Sequence, residues 1–261
     1  MAQGLPGDLV ARAHANFAET FWAVASVAPG GGVAERGGVQ CMASGLPYGS
    51  FNRAFVLAPP HDAAAALSWA AERFREWNLP WSVVATPEAE GAIAKAAHVV
   101  GLARAGRVPG MLLTPLPAAG NGAPGLEIAP VRDARQADDF AQAAARSFDS
   151  PQEVFAAFCH PRVLETPGLA LYVGYCEDRP VATAARYVSH GIAGLLNIGV
   201  LPRYRRRGFG EAMTAHAAAG GTPERCLAAS LQATPMGRPL YARMGFRQVV
   251  EYVNWDAHPR A

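Results

Sequence analysis

The sequence predicts a mixed α/β (α+β) fold in two domains, each a mixed and mostly antiparallel sheet flanked by helices. Helical and strand periodicities alternate along the 261 residues, and the two halves repeat nearly the same order of elements. Between the halves, the segment 115–125 is rich in Pro, Gly and Ala and has neither periodicity. We interpret this segment as a linker between a domain over 1–114 and a domain over 126–261.

In the N-terminal half, a helix is predicted to begin after Asp8 as N-cap and to include NFAETFWAVA. Strands are predicted for GGVQCMASG, SFNRAFVL, WSVVATP and RVPGMLLTP. Helices are predicted for DAAAALSWAAERFREWN and EAEGAIAKAAH, which have apolar residues at helical spacing.

The C-terminal half begins with a strand at GLEIAP, and helices follow in ARQADDFAQAAARSF and PQEVFAAF. Strands come next at LALYVGYC, PVATAARYV and IAGLLNIGV, joined by the tight turns EDRP and SHG. A helix from about Gly208 to Ala219, a strand CLAASLQAT, a short helix MGRPLYARM and a strand FRQVVEYVNW complete the order. The tripeptide Ala-Thr-Pro ends a strand at 85–87 and again at 233–235, which supports an internal repeat.

Composition excludes several classes of protein. Half of the residues are hydrophobic and the formal net charge is +2, whereas a protein that coats nucleic acid carries more positive charge. The four cysteines have no CxxC spacing, so we expect neither a disulfide framework nor a metal site, and we expect a cytoplasmic location. No apolar run approaches the roughly 18 residues that span a bilayer, so we expect no membrane association.

The segment VLPRYRRRGFGEAM, residues 200–213, has the strongest functional pattern. A strand pattern ends at Pro202, which lacks an N–H, and a helical pattern begins at Phe209. The amides of about Arg206 to Gly210 therefore fall at a helix N-terminus, where unpaired N–H groups and the helix dipole favour an anion.

Glycines and arginines in this segment fit a phosphate ligand. Gly208 and Gly210 let the backbone approach a phosphate closely, and Arg205, Arg206 and Arg207 add charge and forked donors. A dinucleotide fingerprint lacks its third glycine here, and a Walker loop lacks its Lys-Ser/Thr pair. From the loop alone, nucleic-acid contact and a plain solvated basic turn remain alternatives to a pyrophosphate site.

A second motif narrows this choice. The order Val200-x-Pro202-x-x-Arg205-x-x-Gly208-x-Gly210, followed about 30 residues later by LYARMGF, resembles the GNAT superfamily of acyl-CoA-dependent N-acyltransferases. Arg205, Gly208 and Gly210 match its pyrophosphate loop, and Tyr241, Gly245 and Phe246 match its Tyr-x-x-x-Gly-Phe pattern. The resemblance covers residues 126–255 in element order and implies two GNAT-like domains. The N-terminal half resembles the degenerate partner of tandem GNAT proteins in its element order and its Ala-Thr-Pro tripeptide, and its corresponding segment VLAPPHDAAAAL has no arginine or glycine. An unrelated α/β domain is the alternative for this half.

The resemblance implies acetyl-CoA as co-substrate, held between two splayed parallel strands, LLNIGV and LAASLQAT, with no metal. The residues that it implies for cofactor binding are the backbone of Ile198 and Val200, the loop Arg205, Arg206, Arg207, Gly208, Phe209 and Gly210, and Thr234, which stands where many members carry Asn. Tyr241 matches the residue that serves as general acid in the family. Asn197 and Gln232 are expected to contact the acceptor.

The resemblance also implies direct attack of an amine on the thioester, with a small-molecule amine as the expected acceptor. However, Gly194 and Leu196 stand where some relatives carry Glu or His as general base. A non-catalytic CoA-binding protein and a protein N-acetyltransferase therefore remain alternatives, and a homodimer is possible.

Overall fold

The protein is described here from a computed structural model, which describes residues 7–116, 122–219 and 226–257. The helices are α1 (Gly7–Val27), α2 (Ala63–Glu76), α3 (Pro87–Val99), α4 (Ala134–Phe148), α5 (Gln152–Ala156), α6 (Pro161–Leu164), α7 (Phe209–Ala219) and α8 (Arg238–Arg243). The strands are β1 (Gly32–Arg36), β2 (Val39–Ala43), β3 (Arg53–Val56), β4 (Ser82–Ala85), β5 (Leu102–Leu113), β6 (Glu127–Pro130), β7 (Leu169–Cys176), β8 (Arg179–Ser189), β9 (Ile192–Val200), β10 (Ala228–Gln232) and β11 (Arg247–Ala257).

The chain forms two compact units. The first comprises the described residues up to Phe17 and Met111–Arg247, and the second comprises Ala18–Gly110 and the described residues from Gln248. The predicted domains 1–114 and 126–261 follow chain order. In the structure, the N-terminal end of the chain belongs to the unit with the later residues, and the C-terminal end belongs to the unit with the earlier residues. Of the predicted linker 115–125, residues 117–121 lie outside the described part of the chain.

Hydrogen bonds explain why each end of the chain belongs to its unit. In the first unit, the buried Asn16 of α1 donates to carbonyls of β8 and β9. In the second unit, β11 pairs antiparallel with β4, with Val253 opposite Ala85 and Asp256 opposite Ser82. The period of a strand pattern shows which side chains are buried but does not identify the neighbouring strand. The sequence alone therefore could not place β11.

The first unit contains a mixed sheet. Its strands lie in the order β5, β10, β9, β8, β7, β6, where β5 contributes its last three residues. The pair β9–β10 is parallel, and the pairs β8–β9, β7–β8 and β6–β7 are antiparallel. Residues 181–188 of β8 are buried without interruption, which means that helices cover both faces of the sheet. The helices that pack on β7, β8 and β9 are α4 and α7.

The second unit contains a smaller mixed sheet in the order β1, β2, β3, β4, β11, β5. Its β3–β4 pair is parallel, and β1–β2, β2–β3 and β4–β11 are antiparallel. Helices α2 and α3 pack on each other and on this sheet, and Phe74, Leu67 and Ile93 are buried between them and the strands. The expectation of mixed sheets flanked by helices is confirmed.

Two elements were not predicted from the sequence. Strand β1, GVAER, is short and half exposed, so it has no clear alternation of apolar and polar residues. Helix α6 has four residues, too few to show a helical period. In the described part of the chain, no helix combines the length and the hydrophobicity that crossing a bilayer needs.

Candidate functional site

The parallel strands β9 and β10 pair along only part of their length. Their register runs from Ile192 opposite Ala228 to Leu195 opposite Leu231 and stops there. Strand β9 continues for five more residues to Val200, and this part has β8 on one side only. The free half of β9, residues 196–200, therefore leaves backbone groups available to a ligand, as the predicted splay requires.

A bulge marks the place where the free half begins. The β8–β9 register shifts between Thr183 and Ala185, and Asn197 has a left-handed φ of 51°. The Thr183 hydroxyl donates to the Asn197 carbonyl at 2.8 Å and holds that carbonyl on the β8 side. No sequence motif indicated a role for Thr183.

Alternation along β9 decides which groups face away from β8. The Leu201 amide donates to the Val181 carbonyl, so Leu201 points its amide towards β8. Because successive residues of a strand turn their backbone groups to opposite sides, Val200 and Ile198 direct theirs away from β8. These are the two residues whose backbone was predicted to bind the pantetheine arm.

The arginine-glycine loop connects β9 to the N-terminus of α7. A 3-10 turn over Pro202–Tyr204 follows the strand, and α7 begins at Phe209. The Ala212 amide donates to the Gly208 carbonyl, whereas the amides of residues 209–211 make no hydrogen bond to a backbone carbonyl of a described residue. The start of this 11-residue helix has unpaired amides and the positive end of the helix dipole, both of which favour an anion.

Left-handed backbone shapes this loop. Arg206 has φ 63° and Gly208 has φ 80°. Glycine tolerates this region freely, whereas a residue with a Cβ is strained in it. At Gly210, a Cβ would lie 3.2 Å from Leu240 Cδ2, so this glycine brings the start of α7 close to α8.

The three loop arginines, which were all predicted to line the rim of a phosphate site, differ in their surroundings. Arg205 is partly buried and donates from Nε to the Val200 carbonyl and from Nη2 to the Ser147 carbonyl. The Arg207 guanidinium lies over the Phe209 and Tyr204 rings, 4.8 and 5.6 Å from their centroids. Arg206 is exposed.

The Tyr-x-x-x-Gly-Phe motif forms the end of α8. Gly245 has φ 94° and ends the helix, after which the Phe246 amide donates to the Tyr241 carbonyl at 2.9 Å. The two rings meet edge to face with centroids 5.8 Å apart. Gly245 and Phe246 therefore have a structural role, because they fix the position of Tyr241.

Tyr241 is 7% exposed, and burial raises the pKa of its phenol to about 12. Its ring packs on Gly237, where a Cβ would lie 2.8 Å from ring carbon Cε2. The hydroxyl makes no hydrogen bond to a described residue, so the phenol is a protonated and uncommitted donor at neutral pH.

The other predicted contact residues lie at the end of β10 and on the bulge. Gln232 is the last residue of β10, beyond the paired register, and is partly exposed. Thr234 is exposed, and its hydroxyl accepts from the Gly237 amide at 3.1 Å, which leaves the hydroxyl proton for a ligand. The Asn197 amide nitrogen is buried without a partner among the described residues.

At Gly194, where some relatives carry a general base, a side chain of α1 occupies the space beside the α-carbon. A Cβ on Gly194 would overlap Asn16 Oδ1. The Asn16 amide nitrogen donates to the carbonyls of Tyr187 and Ile192 and to Ser189 Oγ, at 3.2, 3.3 and 2.9 Å. A side chain at 194 has no room, and the sequence offered no signal for this contact because Asn16 lies 178 residues away.

Titratable side chains also lie near the ends of α4 and α6. Asp149 caps α4 in a left-handed conformation, and His160 Nδ1 accepts from the Arg162 amide at the start of α6. Glu165 is exposed at the end of α6. Burial raises the pKa of the Cys159 thiol to about 12, which suppresses its nucleophilic thiolate.

The second unit has a corresponding parallel pair, β3–β4, which stays closed. Its register continues to Val56 opposite Ala85. The Thr86 amide then donates to the Val56 carbonyl, and the Thr86 hydroxyl donates to the Leu57 carbonyl. Ala85-Thr86-Pro87 is therefore paired where the matching Ala233-Thr234-Pro235 lies beyond the paired register.

Comparisons with known proteins identify a related family and related folds. Residues 167–248 match the family described as "Acetyltransferase (GNAT) domain". Apart from its last residue, this matched segment lies in the first unit, and it resembles a GNAT acetyltransferase domain. The matched segment includes the free half of β9, the loop at the start of α7 and the Tyr241 motif of the GNAT domain.

Solved structures share the fold over nearly the whole chain. A GCN5-related N-acetyltransferase from Kribbella flavida is 18% identical with a TM-score of 0.71, and the alignment covers 96% of each chain. A tandem GNAT protein from the clavulanic acid biosynthesis pathway is 13% identical with a TM-score of 0.54 and 98% of each chain covered. A putative GNAT-family acetyltransferase from Novosphingobium aromaticivorans is 14% identical with a TM-score of 0.54, and covers 92% of this chain and 97% of its own. At these identities the likeness shows the fold, and the comparison with curated proteins found no significant match.

Proposed function

We propose that the GNAT domain transfers an acetyl or short acyl group from acetyl-CoA to the amine of a small molecule, by direct attack of the amine on the thioester. One observation carries this proposal: the free half of β9 and the N-terminus of α7 follow each other in the chain. A strand edge can pair with an amide-containing arm, and a helix N-terminus can bind a pyrophosphate. CoA combines these two groups in one molecule.

The residues present fit CoA. Backbone groups of Ile198 and Val200 would bind the pantetheine arm, although the Val200 carbonyl is already taken by Arg205. The amides of residues 208–210 would bind the pyrophosphate, with the exposed Arg206 supplying charge. Thr234 would add a hydroxyl beside the arm.

Two groups of the domain serve the reaction. A backbone N–H of β9 beside the Asn197 bulge would donate to the thioester oxygen, where negative charge develops. Tyr241 would donate its proton to the sulfur as the carbon–sulfur bond breaks, because its raised pKa keeps the phenol protonated at neutral pH. The nitrogen–carbon bond forms at the same carbon, and the amine releases its extra proton.

That proton has no protein base at the usual position. Gly194 and Leu196 carry no titratable group, and Asn16 fills the space at Gly194. We propose that the amine loses its proton to water, with the buried Asn197 amide nitrogen and Gln232 orienting the acceptor. The reaction rate should then rise with pH through the pKa of the acceptor amine.

We further propose that residues 1–114 are a degenerate GNAT-like half that does not bind CoA. The closed β3–β4 pair supports this proposal, because its edges have no free length for a pantetheine arm.

The test has two steps. Titration of the full-length protein with CoA and acetyl-CoA by calorimetry should give saturable binding, and no heat at millimolar ligand would refute the proposal. Incubation with acetyl-CoA and a panel of primary amines should then release free thiol in proportion to the acetylated amine, which mass spectrometry identifies.

A second candidate function is a CoA-binding protein without turnover. The Asn16 contact at Gly194 favours it, because this contact excludes a base from that position. Saturable CoA binding without amine-dependent thiol release across the panel would support this candidate over the acetyltransferase.

A further inference from the structure

Arg205 belongs to the loop motif, yet its guanidinium is bound to protein carbonyls. Nε donates to the Val200 carbonyl at 3.0 Å, and Nη2 donates to the Ser147 carbonyl at 3.1 Å. Val200 is the last residue of β9, and Ser147 lies in the last turn of α4. One side chain therefore joins the start of the phosphate loop to the end of a helix 58 residues earlier.

The end of α4 also packs directly on the free half of β9. A Cβ on Gly199 would lie 2.7 Å from Ser147 Cβ and 3.0 Å from Phe148 Cε2. The absence of a side chain at 199 lets α4 approach this closely. Phe148 stacks on Phe155 of α5 with centroids 5.5 Å apart, so the contact continues into the next helix.

We propose that Arg205 is a positioning residue that couples the CoA loop to the end of α4. Ligand binding at the loop fixes the backbone of residues 200–208, and Arg205 transmits this ordering through its bond to Ser147. Both elements border the free half of β9, so the phosphate loop and the end of α4 are held in one arrangement. The inference rests on the proposed binding of CoA.

The fork of the guanidinium is what this role requires. Nε and Nη2 are two donors in a rigid plane, and they reach two carbonyls at once. A lysine keeps the positive charge but replaces the planar pair of donors by a single nitrogen on a flexible stem, which does not reproduce this geometry. If Arg205 acted through charge on a phosphate, lysine would largely replace it.

Arg206 provides the matched control in the same loop. It is exposed, and its side chain makes no hydrogen bond to a described residue. Arg206→Gln removes a charge next to the anion site and leaves the bond between Arg205 and Ser147 in place.

The experiment is amide hydrogen exchange of the full-length protein, free and saturated with CoA, for the wild type, Arg205→Lys and Arg206→Gln. The amide of Ser150, which donates to the Ala145 carbonyl, reports on the end of α4. In the wild type we expect CoA to slow exchange there about tenfold. In Arg205→Lys we expect less than about a twofold change at saturating CoA. Arg206→Gln should need more CoA and should then show the wild-type protection.

A purely structural role for Arg205 would raise exchange equally in the free and bound states, and it would leave the CoA-dependent difference intact. That result overturns the inference, as does full protection in Arg205→Lys. If Arg205→Lys does not fold, Gly199→Ala provides a second route, because its Cβ would push α4 away from β9 without touching the loop, and it should also abolish the CoA-dependent protection. If the wild type binds no CoA, the proposed function fails, a result distinct from failure of the coupling.

Discussion

The side chain of Asn16, in the first helix of the chain, lies against the α-carbon of Gly194 in β9 so closely that a β-carbon there would overlap it. Asn16 is fully buried and donates to carbonyls on both sides of the β8–β9 turn. Leu195, the next residue, is the last of β9 to pair with β10. The contact therefore supports the strand at the point where the two strands part.

We predict that Asn16→Ala lowers the free energy of unfolding by about 3 kcal/mol, because several buried carbonyls lose their donor. Gly194→Ala should cost a similar amount in the wild type through overlap with Asn16. In the Asn16→Ala background, Gly194→Ala should cost much less, since the overlapping atom is gone. Urea unfolding of the four proteins measures this cycle, and simple additivity of the two changes would contradict the contact.

Tyr241→Phe removes the proposed proton donor and keeps the buried ring. We expect CoA affinity to change less than about twofold and amine-dependent thiol release to fall by about 100-fold or more. Phe is the suitable substitution because the Tyr241 ring packs on Gly237 and Phe246, contacts that a phenyl group retains. Unchanged turnover would remove Tyr241 from the mechanism.

The raised pKa of Tyr241 also predicts the shape of the pH profile. Its phenol stays protonated until the pH approaches the value of about 12 set by burial. The rate should therefore rise as the acceptor amine loses its proton and should not fall again below about pH 10, the ordinary value for a tyrosine. If the rate instead falls with increasing pH already below about pH 10, while the protein is still folded, another group is the acid.

Each chain should bind a single CoA. The β3–β4 pair of the second unit is closed by Thr86, whereas β9 and β10 separate. Calorimetry should give a stoichiometry of one. A stoichiometry above one in the wild type would indicate a second site.

The double substitution Arg206→Glu/Arg207→Glu should abolish binding altogether. Arg75 is an exposed arginine of α2, so Arg75→Glu serves as the control for charge and should leave binding unchanged.

Arg206 should show opposite effects on stability and on binding. Its φ of 63° is strained for a residue with a Cβ. Arg206→Gly should raise the free energy of unfolding by about 0.5 kcal/mol, after allowing for the greater freedom of glycine in the unfolded chain. The same change should weaken CoA binding through the lost charge. Denaturant unfolding and calorimetry measure the two effects, and a loss of stability would mean that the arginine makes a stabilising contact.

Thiol reactivity provides an independent check of the core. Cys41, Cys159 and Cys176 are buried, and Cys226 is partly exposed. Burial raises the pKa of the Cys41 and Cys159 thiols to about 12, so their reactive thiolates are suppressed. A disulfide reagent should modify one thiol rapidly in the folded protein, and Cys226→Ser should remove this rapid phase. Rapid loss of a second thiol would contradict the buried positions.

Sequence patterns were sufficient for most of the fold. Residues of α4 and β7 alternate at the periods of helix and strand, and their predicted bounds agree with the structure to within one residue. The separation of β9 and β10 followed from the resemblance and is visible in their register. The assignments of Tyr241, Asn197 and Gln232 to the reaction stay predictions until the variants are measured.

Some features could not be read from the sequence because they depend on distant parts of the chain. The predicted domains 1–114 and 126–261 follow chain order, since composition reveals linkers and not exchanged ends. The bond from Arg205 to Ser147 joins residues 58 positions apart, and no local pattern distinguishes it from an arginine on a phosphate.

By itself, the sequence determined what short-range chemistry decides: the periods of helices and strands, the turn glycines, and a loop whose amides and arginines suit an anion. Tertiary structure alone decided which strands part, that Thr86 closes one parallel pair while Thr234 lies beyond the other, and that Asn16 occupies the place of a base. The physical reason is that backbone hydrogen bonds have the same chemistry at every residue. Only the folded arrangement determines which of them are made within the protein and which are left for a ligand.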